Sequence, residues 1–381
     1  MPRLSILFLF VIGVPAAWIG AANWPVAALA GQETKLWQMG PTLQGHGDLL
    51  WGVAFSPDGK WLASSSSDKS VILWDAVKRQ SVHTLAHSAL INSVAFTPDN
   101  KTLVTASGGP DEDYLIRFWD IETGKEQATL KGHPSMVHHL SISGTGKMLV
   151  SANSELDFTA EDKEGAVVFW NLNTRQKIAA MKCTRVYKAI FSHDGKKMAT
   201  SHCHGTVKLW ELDDKFVAKR KTVLVEGLGA DLTDLCASPD GKTFVIDPMY
   251  AADPSIDLWD FEKEKVMRSF VHKDVQVRAV AFSPDGKTLA TGCCKKIKKG
   301  DSNELAGELK FWDVDTGEEK QTLREKLGPI HALTFSPDGK ALAIGLHHKD
   351  NIKLTEDGGF EQPAEGYAGA VVLCEWKAAK R

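Results

Sequence analysis

The sequence predicts an all-β chain of seven four-stranded antiparallel sheets closed into a ring, and three observations predict it. A turn element, Ser-Pro-Asp-Gly-Lys or a close variant, recurs seven times, beginning at Ser56, Thr97, Ser143, Ser192, Ser238, Ser283 and Ser336. A Trp followed by an acidic or amide residue comes after the first six copies, at Trp74, Trp119, Trp170, Trp210, Trp259 and Trp312, and Cys374-Glu375 stands there in the seventh. Eight residues separate the strand before each turn (Phe55, Phe96, Ile142, Phe191, Ala237, Phe282, Phe335) from the middle of the strand after it (Ala63 to Ala343) in every copy. A fixed period of this kind marks stacked supersecondary units.

Each unit reads as four strands. In the first, "WGVAFS" alternates, Pro57-Asp58-Gly59 turns the chain, and "WLASSS", "SVILWD" and "SVHTL" follow. A four-stranded sheet with one apolar face cannot bury it alone, so the units pack face to face in a ring. In chain order, residues 34–43 form an outer strand that pairs with the last unit and removes two exposed sheet edges. The units then occupy about 44–86, 87–131, 132–181, 182–223, 224–271, 272–324 and 325–381.

These landmarks resemble the WD40 repeat family, over residues 34–381. Gly45-His46 and Gly132-His133, with Ala86-His87 between them, recur at the family's Gly-His place. The resemblance implies a seven-bladed β-propeller. It also implies that a His, a Ser or Thr, an Asp and the Trp form a hydrogen-bonded set within a blade: His46, Ser64, Asp68 and Trp74 in blade 1, and His87, Thr105, Asp113 and Trp119 in blade 2. The set decays elsewhere. Blade 3 has His133 and Trp170 with Glu164 at the Asp place, blade 4 has His204 there, and blades 6 and 7 have Ala306 and Ala368, so these blades are expected to rely on packing. The roles are structural, since they pin turns.

Only one connection varies freely. From the middle of the second strand to the Trp or Cys landmark the separations are 11, 15, 20, 11, 14, 22 and 31. In a four-stranded antiparallel sheet the second-to-third-strand turns lie on one face of the disc, with the links between blades. The insertions at 108–113, 153–165, 293–308 and 347–368 therefore crowd that face, and loops a fold does not require tend to carry function. Those of blades 2 and 3 are acidic (Asp111, Glu112, Asp113; Glu155, Asp157, Glu161, Asp162, Glu164), whereas that of blade 6 carries Lys295, Lys296, Lys298 and Lys299. A face with one negative and one positive side would orient a charged partner; solvated loops without a partner are the plainer reading. Inside the rim, the residue four before each inner-strand landmark is expected at the mouth of the central channel: Trp51, Asn92, His138, Tyr187, Thr233, Arg278 and His331. Aromatic and Arg side chains are common binding anchors.

The front of the chain has Arg3, an apolar stretch from Leu4 to Val14 and Ala28-Leu29-Ala30, the pattern of an export signal over residues 1–30. No charge occurs from Leu4 to Gln32, long enough to be retained as a membrane anchor instead. Either way the propeller is expected outside the cytoplasm, periplasmic or secreted, with the membrane reached only through this segment. A net charge of −3 argues against general nucleic-acid binding.

The six cysteines (183, 203, 236, 293, 294, 374) lack framework spacing, and most fall on strands where a small buried thiol is the usual role. Cys293-Cys294 lies beside the lysines, which are expected to lower a thiol pKa. His202 and His204, and His347-His348, are too few for a metal site of three or four ligands. Nucleophile-elbow, metalloprotease, phosphate-loop and haem-attachment motifs do not occur. The expectation is a non-catalytic scaffold that binds a protein or peptide through its loop-rich face, without cofactor. An extracytoplasmic propeller enzyme using a metal or quinone, or a purely structural envelope component, is the alternative.

Overall fold

A computed structural model describes residues 35–109, 114–154, 164–202, 205–213, 215–226, 233–248, 255–273, 275–299, 302–324, 327–347, 353–354, 360–361 and 369–378. The chain enters on β1 (Lys35–Gln44). Blade 1 holds β2 (Leu50–Phe55), β3 (Trp61–Ser66), β4 (Ser70–Asp75) and β5 (Gln80–Ala86). Blade 2 holds β6 (Ile91–Phe96), β7 (Thr102–Ser107), β8 (Ile116–Asp120) and β9 (Glu126–Leu130). Blade 3 holds β10 (Val137–Ile142), β11 (Met148–Asn153), β12 (Glu164–Asn171) and β13 (Lys177–Thr184). Blade 4 holds β14 (Val186–Phe191), β15 (Lys197–His202), β16 (Thr206–Leu212) and β17 (Ala218–Val225). Blade 5 holds β18 (Thr233–Ala237), β19 (Thr243–Pro248), β20 (Ser255–Asp260) and β21 (Lys265–Val271). Blade 6 holds β22 (Gln276–Phe282), β23 (Thr288–Lys299), β24 (Ser302–Asp313) and β25 (Glu319–Leu323). Blade 7 is β26 (Ile330–Phe335), β27 (Ala341–His347) and β30 (Gly369–Ala378), with β1 as its outermost strand; β28 (Lys353–Leu354) and β29 (Phe360–Glu361) form a small extra hairpin. Every blade is antiparallel, and the whole is the seven-bladed propeller expected from the repeats.

The invariant turn has a chemical cause. Ser56 Oγ donates to Asp58 Oδ1 at 2.7 Å, and that carboxylate oxygen accepts from the Lys60 amide at 3.1 Å. Ser238, Ser283 and Ser336 make the same bond to Asp240, Asp285 and Asp338. The side chains replace backbone partners that a turn would otherwise leave unpaired, so the loop has no freedom to lengthen.

Each apolar core cluster lies where neighbouring blades meet. Ala63, Val71 and Leu73 of blade 1 pack on Ile91, Phe96 and Leu103 of blade 2, all fully or nearly buried. Burying one such aliphatic side chain stabilises by about 1.5–3 kcal/mol, so the blades hold one another rather than standing alone. The closing contact is the most elaborate. β1 pairs with β30 from Lys35↔Ala378 to Gln44↔Ala370, with a break in register between Met39 and Thr42. Gly40 lies at that break, where a Cβ would approach the Leu373 carbonyl oxygen to 2.5 Å. Trp37 stacks on Phe311 of blade 6, centroids 4.9 Å apart and planes 2° from parallel. Gln321 clasps the Trp37 backbone, accepting from its N–H at 2.9 Å and donating to its carbonyl at 2.8 Å.

The structure corrects two expectations about the lysine segment. Residues 293–308 are not a loop: β23 and β24 run on as a hairpin, from Cys293↔Glu308 out to Lys299↔Ser302. Lys295 is half-buried at its root, while the side chains of Lys296, Lys298 and Lys299 lie outside the described residues. Cys293 and Cys294 are buried, and burial pushes the Cys293 thiol well up rather than down, with the nearby Asp247 carboxyl acting in the same direction. The five described cysteines are free thiols. The hairpin packs against β28 of the blade 7 insertion, so these two excursions meet at one end of the disc.

Candidate functional site

The hydrogen-bonded set inside the blades gives most of the polar landmarks a structural role. In blade 1, His46 Nε2 lies 2.8 Å from Ser64 Oγ, which also accepts from Trp74 Nε1 at 2.8 Å; His46 Nδ1 lies 2.9 Å from Asp68 Oδ2. Burial works to raise the Asp68 carboxyl, but hydrogen bonds from His46, Ser70 and the Gly47 amide outweigh it and hold the pKa at about 2. Blade 2 repeats the core of the set with His87, Thr105 and Trp119 at 2.9 and 3.0 Å, and blade 3 does so with His133, Ser151 and Trp170 at 2.8 Å each. Asp113, His204 and Ala368 lie outside the described residues, as does the side chain of Glu164.

The set survives further than the sequence suggested. In blade 4 His202 supplies the imidazole: Nε2 lies 2.8 Å from Thr200 Oγ1, which accepts from Trp210 Nε1 at 2.7 Å. In blade 6 His272 lies 2.9 Å from Thr291, which accepts from Trp312 at 3.0 Å. These two blades therefore keep the His–Thr–Trp core of the set, so they rely on packing less than their decayed motifs suggest. Blade 5 is the one described Trp blade without a set. Its register puts Ile246 where blade 1 has Ser64, and the buried Trp259 Nε1 has no hydrogen-bond partner.

The remaining polar groups converge on the channel. Six of the seven mouth positions, Trp51, Asn92, His138, Tyr187, Arg278 and His331, line one cavity of about 430 Å³; the side chain of the seventh, Thr233, lies outside the described residues. Trp51 meets His331 edge-on with centroids 6.2 Å apart, and His138 meets Tyr187 likewise at 5.1 Å. Arg278 Nη1 lies 3.2 Å from His331 Nε2, which fits a neutral imidazole accepting from the guanidinium. Burial holds His138 down to about 4 against the raising effect of its hydrogen bond to Ser154.

The mouth is tied to the variable connections by hydrogen bonds. Trp51 Nε1 donates to Ser67 Oγ at 2.6 Å, in the blade 1 turn between second and third strands. Asn92 Nδ2 donates to the carbonyls of Gly108 at 3.4 Å and Val137 at 3.0 Å. His138 Nε2 donates to the Ser154 carbonyl at 3.2 Å, with Ser154 Oγ 3.0 Å away. Gly108 and Ser154 are the roots of the blade 2 and blade 3 insertions, so cavity and insertions share one end of the disc.

A second ring, one residue deeper, was missed in the sequence. Gly52, Ser93, His139, Lys188, Asp234, Ala279 and Ala332 all line the same cavity. Its ionisable members fall on consecutive blades 3, 4 and 5, whereas Gly and Ala of blades 1, 6 and 7 leave room opposite. Lys188 and Asp234 form an ion pair across blades 4 and 5. His139 is held well below the usual imidazole range, first by burial and then by the Lys188 charge. The spacing that gave the mouth, read three residues before each landmark instead of four, would have found this ring.

Among the described residues no three His, Cys, Asp or Glu are grouped to hold a metal ion, and no helix is long and apolar enough to cross a membrane. Comparison with known proteins supplies the family. The WD domain, G-beta repeat (WD40) matches residues 37–75, 79–120, 124–163, 176–211 and 264–299, together more than half of the chain. The chain is 24% identical over 371 residues to rat apoptotic protease-activating factor 1, covering 83% of this chain and 27% of that protein. It is 24% identical over 321 residues to the silkworm (Bombyx mori) eukaryotic translation initiation factor 3 subunit I, covering 80% of this chain and 91% of that protein. It is 25% identical over 305 residues to the chicken serine-threonine kinase receptor-associated protein, covering 80% of this chain and 66% of that one. The length of relative that the chain spans thus runs from about a quarter to nine tenths. With the repeat match, the four-stranded blades and the His–Ser/Thr–Trp sets in agreement, this chain belongs to the WD40 repeat family.

Proposed function

We propose that the chain is a non-catalytic, exported scaffold that binds a protein or peptide, and that the channel mouth on its loop-rich face is the anchor of that contact. One observation carries this reading: residues at one fixed spacing from the repeat landmarks converge on a single cavity whose rim is hydrogen-bonded to the roots of the insertions. The cavity offers a half-exposed indole, a tyrosine, imidazoles and a guanidinium, groups that dominate binding hot spots, and its deeper wall is apolar opposite a single ion pair. A partner side chain with an aliphatic stem and a polar head suits that space. The lysine-bearing hairpin, through Lys295, Lys296, Lys298 and Lys299, adds secondary contacts to the same partner. Relatives whose names describe a subunit and a receptor-associated protein agree with a binding role. Export rests on the uncharged stretch from Leu4 to Gln32, cleaved or retained. Fold alone assigns no partner.

The test is capture of partners from an envelope extract by the wild-type chain and by a Trp51→Ala/His331→Ala variant. A hot-spot pair is worth at least about 2 kcal/mol, so retention should fall roughly 30-fold. A folded double variant that retains the same partners to the same extent removes the channel from the reading. The enzyme alternative would return if the purified protein carried stoichiometric metal.

A further inference from the structure

Asp247 occupies a register position that the other six blades keep small: Ser65, Ala106, Ala152, Ser201, Gly292 and Gly345 stand there. The reason is space. At Gly292 a Cβ would come within 2.3 Å of Ile330 in the next blade. Blade 5 instead buries a carboxyl, 1% exposed, whose Oδ2 has no hydrogen-bond partner. Directly across the ladder is Asp234, so two carboxyls share one cross-strand site.

The charges around this pair come from every neighbouring strand. Lys188 on β14 is already bonded to Asp234. Cys293 on β23 is a buried thiol close enough for its charge and that of Asp247 to disfavour each other. Asp257 on β20 accepts from Ser269 at 2.6 Å, Arg278 on β22 is turned to His331, and Cys236 on β18 is half-buried. One lysine cannot compensate two carboxylates in a dry interface, and of two interacting acids the more buried keeps its proton. Burial and the Asp234 charge accordingly hold the Asp247 carboxyl well above its usual range. Blade 5 is held by apolar packing on blades 4 and 6 without the polar set that ties blades 1 to 4 and 6, because Ile246 and the unpartnered Trp259 stand in its place.

We propose that Asp247 is a proton lock on blade 5: β18 and β19 stay closed while its carboxyl carries a proton, and loss of that proton opens them, together with the Asp234 wall of the channel. The balance is one proton released to water for each blade that opens. The lock regulates the channel described above, but it needs no property of the partner, so its failure would leave the binding reading standing.

Hydrogen exchange on the full chain between pH 6 and 9, corrected for intrinsic rates, tests it. The opening equilibrium of peptides covering 233–248 should rise with pH, by up to about tenfold per unit, the limiting slope of a single-proton linkage, while peptides covering β2 and β3 stay flat. In Asp247→Asn, and in Asp247→Ser with the residue of blades 1 and 4, the blade 5 slope should vanish. A slope that persists in either variant, or a wild-type blade 5 no steeper than blade 1, overturns the lock. The wild-type comparison between blades holds even where a variant fails to fold.

Discussion

At the scale of single residues, the blades differ by one atom's partner. Trp74 Nε1 donates to Ser64, whereas Trp259 Nε1, in the same place in blade 5, donates to nothing described. Replacing either by Phe removes a similar apolar volume, so the difference between the two variants isolates the hydrogen bond. Trp74→Phe should cost about 1–2 kcal/mol more than Trp259→Phe, since it leaves the buried Ser64 hydroxyl oxygen short of a donor while the other discards an unsatisfied N–H. Urea unfolding midpoints measure this, and equal losses would contradict it. Residue-level reading of the sequence succeeded where a Gly-His stood at a constant distance, as at His46 and His133. It missed His202 because that imidazole comes from the second strand, two residues past Thr200. His272 was missed because no glycine announces it in "VHKD". Spatial equivalence reached by another chain route leaves no fixed spacing to read.

At the scale of elements, strand count and turn position were legible because the Ser–Asp turn forbids length change. The lysine segment was misread for a physical reason. Four lysines in seven residues look solvated, yet a hairpin that leaves the disc pairs its backbone within itself whatever its side chains do. Lysine on an unprotected strand is also a device against edge pairing. The closing strand is the element with most at stake. Trp37 packs on Phe311, Phe335 and Trp376 while its backbone is held by Gln321. Trp37→Ala should cost about 3–5 kcal/mol, in the range of buried aromatic truncations. Its proteolytic cleavage should begin at β1 or β30 rather than in blades 2–4, which limited digestion with mass mapping would reveal. Cleavage beginning in blade 2 would count against β1 as the clasp.

For the whole molecule, five buried imidazoles set the acid limit. His133, His138, His202 and His272 are each held down to about 4 and His139 well below its usual range, chiefly by burial. An unfolded His takes up its proton near 6.5, so between about pH 6.5 and 4 the unfolded chain binds protons that the folded chain refuses. Stability is then full above 6.5 and is lost as pH falls through that window, by up to about 1.4 kcal/mol per pH unit for each imidazole. Circular dichroism with urea at stepped pH should show the midpoint dropping steeply below pH 6. An unchanged midpoint at pH 4.5 would mean that these rings are already charged in the fold.

The ring is fastened by joining its beginning to its end: β1 at residues 35–44 is laid against β30 at residues 369–378. During synthesis the first strand must therefore wait for some 330 further residues to leave the ribosome before its ladder exists. Until then the nascent chain carries an orphan strand and an open wheel with two raw edges. A premature stop anywhere before Gly369 would strand both, making truncated products sticky rather than merely shorter.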